Sequence, residues 1–287
     1  MKISAIDIGS NSVRLAMFQG GKTLYKRLKT TRLGEGLSFT GSLKPEAVER
    51  SAQAVAEFLK QAQEDGAEKV YAFATAAVRS SSNGCDFVKR VRELCGLNVE
   101  VLSGQEEAEC GILGALGNSD GGIIDVGGAS TEVTLRKNGE RIYSESVNIG
   151  TVRLYDCAGR NRQELQKIID EKLTAYGGFS AADLKMYAIG GTASRLASVK
   201  HNLTSYRPEI TDGTKINIRE METLADRLLT MSVEEIRATT ICRNSADIVG
   251  GGCLLMLGVM KKFGVNEITV SERDNLEGFV ILKEGAL

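Results

Sequence analysis

One histidine (His201), two prolines and no tryptophan occur among the 287 residues. A single histidine leaves no material for a multi-histidine zinc site and argues against a histidine-based triad. No apolar run approaches the ~20 residues of a membrane-spanning helix. The opening Met1-Lys2-Ile3-Ser4-Ala5-Ile6-Asp7 turns polar too early for a signal peptide. The six cysteines include no C-x-x-C pair and read as small buried residues of a reducing cytoplasm. Lys and Arg total 36 against 37 Asp and Glu, a net charge of −1. That balance lacks the basic excess of a general nucleic-acid binder, yet it permits one phosphate-binding cleft with local arginines. Hydrolytic chemistry, if present, falls to carboxylates, backbone amides, arginine and a hard metal ion. What is abundant is glycine, 32 residues, which beside so little proline indicates tight backbone sites within ordered structure. The length suits about two domains with a real core.

Hydrophobic spacing predicts strands over 2–8, 13–18 and 23–31, then a helix over 44–64 with Pro45 in its first turn. A strand over 69–74, a helix over 86–95, a strand over 98–102 and a helix over 105–116 follow. The order βββαβαβα then begins again. Strands are predicted over 121–126, 131–136 and 140–148, and helices near 151–157 and 162–175. A strand over 185–189 and a helix over 192–199 come next. Residues 200–218 read as irregular. Helices near 219–230 and 245–263, a strand over 267–270 and a helix over 276–283 complete the chain. The repetition extends to identities. At an offset of 118, Ile6, Asp7, Gly9, Ser12, Gly21 and Tyr25 fall on Ile124, Asp125, Gly127, Ser130, Gly139 and Tyr143 without a gap. Two similar α/β domains are expected, 1–118 and 119–275, with a last helix at about 276–287 returning to the first.

Asp7-Ile8-Gly9-Ser10-Asn11-Ser12-Val13-Arg14 leaves a buried strand through a glycine turn. Such a turn exposes consecutive N–H groups as an anion nest. Ser10, Asn11, Ser12 and Arg14 add donors and charge, and Asp7 at the strand end suits Mg²⁺ beside a bound phosphate. Asp125-Val126-Gly127-Gly128-Ala129-Ser130-Thr131-Glu132 repeats the device, with Glu132 in place of Arg14. Facing each other across a cleft, two such loops would clamp a phosphate chain. In Ser103-Gly104-Gln105-Glu106-Glu107, Ser103 and Glu106 have capping-box spacing. Glu107 is then left over, as a group that orients or deprotonates water or as a surface carboxylate favoured by the helix dipole. Arg79 is placed to fork onto phosphate, and Asn83 serves as a helix cap or a ligand. Gly190-Gly191-Thr192 and Arg153 stand at strand-to-helix turns, where a phosphate or nucleotide edge would fit. His201 reads as a loop residue.

These motifs together resemble the sugar kinase, Hsp70 and actin superfamily. More narrowly they resemble the exopolyphosphatase/guanosine pentaphosphate phosphatase (Ppx/GppA) family. The resemblance runs nearly end to end: D-I-G-S-N-S-V-R-L at 7–15, R-L-G-E-G-L at 32–37, A-T-A-A-V-R at 74–79, S-G-Q-E-E-A at 103–108, D-V-G-G-A-S-T-E at 125–132, N-I-G-T-V-R-L at 148–154, G-G-T-A at 190–193 and V-S-E-R-D-N-L-E-G at 270–278. It implies duplicated RNase H-like domains in an actin-like ATPase fold. It also implies a cytoplasmic hydrolase that removes the terminal phosphate of polyphosphate or guanosine pentaphosphate with Mg²⁺ or another divalent cation. On that reading Glu107 and Glu132 are catalytic and Asp7 and Asp125 hold the metal. Gly9, Ser10, Asn11, Ser12, Arg14, Arg79, Gly127, Gly128, Ala129, Ser130 and Thr131 bind phosphate. Asn83, Arg153, Gly190, Gly191 and Thr192 are further candidates for substrate contact. Ala129 departs from the family's usual third glycine, Asp274-Asn275 from a Gly-Leu type pair and Ser245 from an arginine. The longer members' helical C-terminal region is not expected here. No nucleic-acid polymer or membrane is an expected partner, and a homodimer is left open. A non-catalytic sensor of polyphosphate or a guanosine nucleotide is the alternative, and a kinase of the same superfamily is a third reading.

Overall fold

A computed structural model describes residues 1–287 and divides them into two units, Met1–Gly114 with Asn275–Leu287, and Ala115–Asp274. In the first unit the chain forms β1 (Lys2–Ile8), β2 (Ser12–Gln19), β3 (Lys22–Thr30), α1 (Leu37–Thr40), α2 (Pro45–Glu64), β4 (Lys69–Ala74), α3 (Ala76–Ser80), α4 (Gly84–Cys95), β5 (Glu100–Val101) and α5 (Gly104–Leu116). The sheet order is β3-β2-β1-β4-β5, antiparallel through the first three strands and parallel thereafter. β1 is apolar on both sides because both faces of the sheet are covered. Ile6, Ile8, Val13 and Leu15 pack with Ala52, Val55 and Leu59 of α2 and with Phe87 and Val91 of α4. On the other face Ile3, Ala5, Ala16, Phe18 and Phe73 form a smaller cluster with Cys110 of α5. Ser4 is fully buried within β1, and its hydroxyl donates to the Ala16 carbonyl at 2.8 Å.

The second unit holds β6 (Gly121–Val126), β7 (Thr131–Lys137), β8 (Glu140–Val147), α6 (Thr151–Ala158), α7 (Arg162–Leu173), β9 (Met186–Ile189) and α8 (Gly190–Lys200). After these come α9 (Pro208–Thr211), β10 (Lys215–Asn217), α10 (Ile218–Thr230), α11 (Val233–Thr239), α12 (Val249–Phe263) and β11 (Glu267–Val270). Its sheet order, β10-β11-β9-β6-β7-β8, repeats that of the first unit and adds β10 antiparallel to β11 at the edge. The repeat extends to single residues. Asp7 pairs with Arg14 across β1 and β2, and Asp125 with Glu132 across β6 and β7. The third strand of each unit is bulged at the same place, with Leu24 left over opposite Met17 and Phe18 and Ile142 opposite Leu135 and Arg136. The chain is a duplicated RNase H-like, actin-like ATPase fold.

Several local expectations differ from the structure. Residues 200–218 are not wholly irregular, since they contain α9 and β10. β10 is only three residues long, too short to show an alternation by itself. The helix expected over 245–263 begins at Val249, after a 3₁₀ turn over Arg243–Ser245. α11 was not anticipated, although Ser232 and Glu235 form a complete capping box at its start.

The final helix, α13 (Asn275–Glu284), belongs to the first unit. Phe279 stacks on Phe73 at 4.5 Å between ring centroids. Glu277, 1 % exposed, accepts from Lys26 Nζ at 2.9 Å and from Thr23 Oγ1 at 2.8 Å on β3. A carboxylate so buried needs these partners, because leaving it unpaired costs several kcal/mol.

Candidate active site

In the first unit the Gly9 amide donates to the Ser12 carbonyl at 3.0 Å, closing the turn between β1 and β2. A Cβ on Gly9 would lie 3.3 Å from that carbonyl oxygen, so glycine here serves the close approach. The segment after β3 then ties down the loop's carbonyls. Thr31 and Arg32 amides donate to the Asn11 carbonyl at 3.0 and 2.9 Å, and the Gly34 amide to the Ser10 carbonyl at 2.8 Å. Arg32 adopts a left-handed φ of 50° to do so, a conformation that costs roughly 1–2 kcal/mol for a non-glycine residue. In a planar trans peptide the carbonyl of one residue and the N–H of the next point in opposite directions. Fixing the Ser10 carbonyl on Gly34 therefore turns the Asn11 N–H away from the brace. The amides of Ser10 and Asn11 donate to no group of the chain.

The second unit reaches the same result by another route. The Gly127 amide donates to the Ser130 carbonyl, again at 3.0 Å. The first turn of α6 supplies the brace. Thr151 N–H donates to the Gly127 carbonyl and Val152 N–H to the Gly128 carbonyl, both at 2.9 Å, and Arg153 N–H to the latter at 3.1 Å. Arg153 Nε adds a bond to the Ala129 carbonyl at 3.0 Å. These bonds satisfy helix donors that otherwise lack partners. They also turn the amides of Gly128 and Ala129 outward, and neither amide donates within the chain. A Cβ on Gly150 would sit 2.5 Å from the Gly128 carbonyl carbon, so glycine there permits the contact. Arg153 was expected at the substrate, and its Nε instead braces the loop.

Other expected site residues also make bonds within the chain. The Asn83 amide was expected as a cap or a substrate ligand. It makes no cap bond and clamps Leu43, accepting from its N–H at 2.7 Å and donating to its carbonyl at 2.9 Å. Thr192 Oγ1 donates to the Val126 carbonyl at 2.7 Å and so secures the end of β6. Gly190 has a φ of +79°, and a Cβ there would lie 2.6 Å from Asp125 Oδ1. The G-G-T turn thus makes room for Asp125 and holds its strand, roles that spacing alone could not distinguish from ligand binding.

The carboxylates divide into two environments. Asp7 was expected to hold metal and Arg14 to bind phosphate, but the structure joins them. Arg14 Nε donates to Asp7 Oδ2 at 3.0 Å, and Nη2 bonds the same oxygen. The cause is the β1–β2 register, which sets the two opposite each other. At the equivalent place in the second unit Asp125 stands opposite Glu132, two acids in register. Glu132 is 3 % exposed, and its Oε1 accepts from Ser146 Oγ at 2.6 Å. Glu107 is not a surface carboxylate. Ser103 and Glu106 complete their capping box, at 2.8 and 3.2 Å, and the next residue turns inward to 7 % exposure. There Arg79 Nη1 donates to Glu107 Oε2 at 2.9 Å and to the Leu102 carbonyl at 2.7 Å. Burial pushes the Glu107 carboxyl above the ordinary range, Arg79 pulls it back, and nearby Asp7 pushes it further up.

No group of three or more His, Cys, Asp or Glu is arranged to hold a metal ion. Mg²⁺ does not require one, since it commonly takes one or two carboxylates with phosphate oxygens completing its shell. Asp125, opposite a second acid, fits that use. At Asp7 the Arg14 guanidinium is bound to Oδ2, so its positive charge competes there with that of a cation. Ser146 and the brace residues Thr31, Gly34 and Thr151 were not singled out from sequence. The repeat offset was a usable signal for Ser146, which takes the place of Leu28 in the first unit.

The chain is 28% identical over 306 residues to the bifunctional 3-dehydroquinate synthase/phosphatase of Fusobacterium nucleatum, covering 97% of this chain and 46% of that protein. It is 28% identical over 316 residues to Exopolyphosphatase 2 of Mycobacterium tuberculosis, covering 99% of each. To the guanosine-5'-triphosphate,3'-diphosphate pyrophosphatase of Photobacterium profundum it is 25% identical, over 96% of this chain and 58% of that protein. It therefore spans about half the length of two of these relatives and nearly all of the third. Among solved structures, an exopolyphosphatase from Cytophaga hutchinsonii superposes with a TM-score of 0.86 at 25% identity, over 100% of this chain and 99% of the other. The family model of the Ppx/GppA phosphatases matches residues 15–285, and the chain belongs to that family.

Proposed function

We propose that this protein hydrolyses the terminal phosphoanhydride of a polyphosphate chain, with guanosine pentaphosphate as the second substrate class. The observation that carries the reading is a pair of glycine loops whose carbonyls are tied back so that the amides of Asn11, Gly128 and Ala129 are turned away from the braces, with the Ser10 amide likewise making no backbone bond. Amides so fixed bind phosphate oxygens without reorganising. Exopolyphosphatase 2, the relative matched over nearly its whole length, favours polyphosphate. Glu107 in the first unit and Glu132 in the second are the carboxylates suited to orient water and accept a proton. The water oxygen bonds to the terminal phosphorus as the bridging P–O bond breaks, releasing orthophosphate and a chain one unit shorter. Asp125 would hold Mg²⁺, whose charge offsets that of the phosphate oxygens.

Phosphate release from polyphosphates of defined length, guanosine pentaphosphate and ATP, each with and without divalent cation, tests this reading. Release from polyphosphate that requires Mg²⁺ is expected. Saturable binding without turnover under any metal would instead mark a sensor, and transfer of the ATP phosphate to an acceptor would mark a kinase.

A pH prediction follows from Arg79. Glu107 must be ionised to accept a proton, and burial together with Asp7 opposes ionisation while Arg79 and a hydrogen bond from Thr75 favour it. In Arg79→Ala the acid limb of kcat/KM therefore moves to higher pH, and Arg79→Lys restores part of the shift. An acid limb unchanged in Arg79→Ala would mean that Glu107 is not the titrating base.

A further inference from the structure

The two units supply an internal control. They share sheet order, bulge position and loop closure, so a difference at an equivalent position isolates what one unit does and the other does not. Arg14 is opposite Asp7 on β1 and opposite Leu28 on β3. At the same two positions of the second unit, Glu132 is opposite Asp125 on β6 and opposite Ser146 on β8. The change from Arg14 to Glu132 is thus matched by a change of its neighbour on the third strand, from Leu28, which has no hydrogen-bonding group, to Ser146. Ser146 Oγ donates to Glu132 Oε1 at 2.6 Å.

We infer that Ser146 is a positioning residue for Glu132: its hydroxyl holds Oε1 and so sets the direction of Oε2. The inference rests on the reading of Glu132 as a water-orienting group. A glutamate side chain has a soft terminal torsion, so one oxygen tied to a neighbouring strand removes most of the freedom left to the other. The anchoring segment is itself secured at the start of β7. Thr131 Oγ1 donates to the Ile149 carbonyl at 2.6 Å, and the buried Tyr176 hydroxyl to the Thr131 carbonyl at 2.6 Å. With the backbone fixed at Thr131 and the carboxylate fixed at Ser146, a water molecule would meet one orientation of Glu132. Reorganisation of this kind is what an active site avoids by fixing its groups in advance.

Ser146→Ala, Ser146→Thr, Glu132→Gln and the Ser146→Ala/Glu132→Gln double variant test the inference on the Mg²⁺-loaded full chain with polyphosphate. A hydrogen bond to a charged group typically corresponds to about a ten- to hundred-fold effect. Ser146→Ala is expected to lower kcat by about that range with KM within about twofold. Ser146→Thr, which keeps the hydroxyl, is expected to recover most of the loss. The double variant is expected to be no slower than Glu132→Gln alone, because two parts of one device do not add. A merely structural serine would instead lower the unfolding midpoint, fail to distinguish Thr from Ala by hydroxyl, and add its effect to that of Glu132→Gln. Glu132→Gln with wild-type kcat would sink the role of Glu132 in the reaction. An impaired Glu132→Gln beside a wild-type Ser146→Ala would overturn the inference about Ser146 alone. Crystal structures of the two serine variants give a readout independent of turnover: the Glu132 carboxylate is expected to rotate in Ser146→Ala and to stay in Ser146→Thr. An unmoved carboxylate in Ser146→Ala overturns the inference.

Discussion

Glu107→Gln and Glu132→Gln are each expected to lower kcat for phosphate release by about 10²- to 10⁴-fold. Glutamine matches glutamate in size and keeps one oxygen, so packing is nearly preserved while the ability to take a proton is lost. Steady-state kinetics on polyphosphate checks this, with KM expected to change far less than kcat because phosphate is bound by loop amides. The two variants are not equivalent. Glu107→Gln leaves Arg79 without its anionic partner at 2.9 Å, so its unfolding midpoint has to be measured beside its activity. In Glu132→Gln the amide oxygen can still accept from Ser146. Activity within about twofold of wild type in both variants would remove proton acceptance from the mechanism.

Gly278→Ala is expected to destabilise the first unit by about 3 kcal/mol or more. A Cβ at this position would overlap the Cys110 carbonyl oxygen and lie 2.5 Å from its carbon and 2.8 Å from its Cα. The obstacle is backbone within α5, so no side-chain rotation relieves it. Moving α13 away would open the Phe73–Phe279 stack and withdraw Glu277 from Lys26 and Thr23, leaving charge with poorer compensation. Urea unfolding with limited proteolysis is the measurement, with early cleavage near the C-terminal helix as the second sign. Gly178→Ala is the control, because nothing lies within 4 Å of its Cβ position. It should stay within about 0.5 kcal/mol of wild type. Equal midpoints for the two variants would show that α5 and α13 can part at no cost.

Much of this architecture is legible in the residues. The first two strands of each half alternate or run apolar, and the identities at offset 118 match the shared strand order of the two sheets. The capping box at Ser103 and Glu106 is also local, and forms as its spacing predicts. α11 carries an equally local signal in the Ser232 and Glu235 capping box. The bonds made by Asn83 and Arg153 have a different origin. Asn83 clamps a residue forty positions away, and Arg153 grips a loop twenty-four positions before it. An arginine or an amide beside a glycine turn has the same appearance in sequence whether it meets a ligand or a carbonyl of its own chain.

The duplication, the order of elements along the chain and the two glycine turns can be read from the residues, because periodicity and spacing are local properties of a chain. Which charges have partners is settled only on folding. Register across the antiparallel strands joins Asp7 to Arg14 and sets Asp125 against Glu132, and folding carries Glu107 inward to Arg79. An ionised group's chemistry depends on what lies within a few ångströms of it, and that neighbourhood is assembled from residues far apart along the chain.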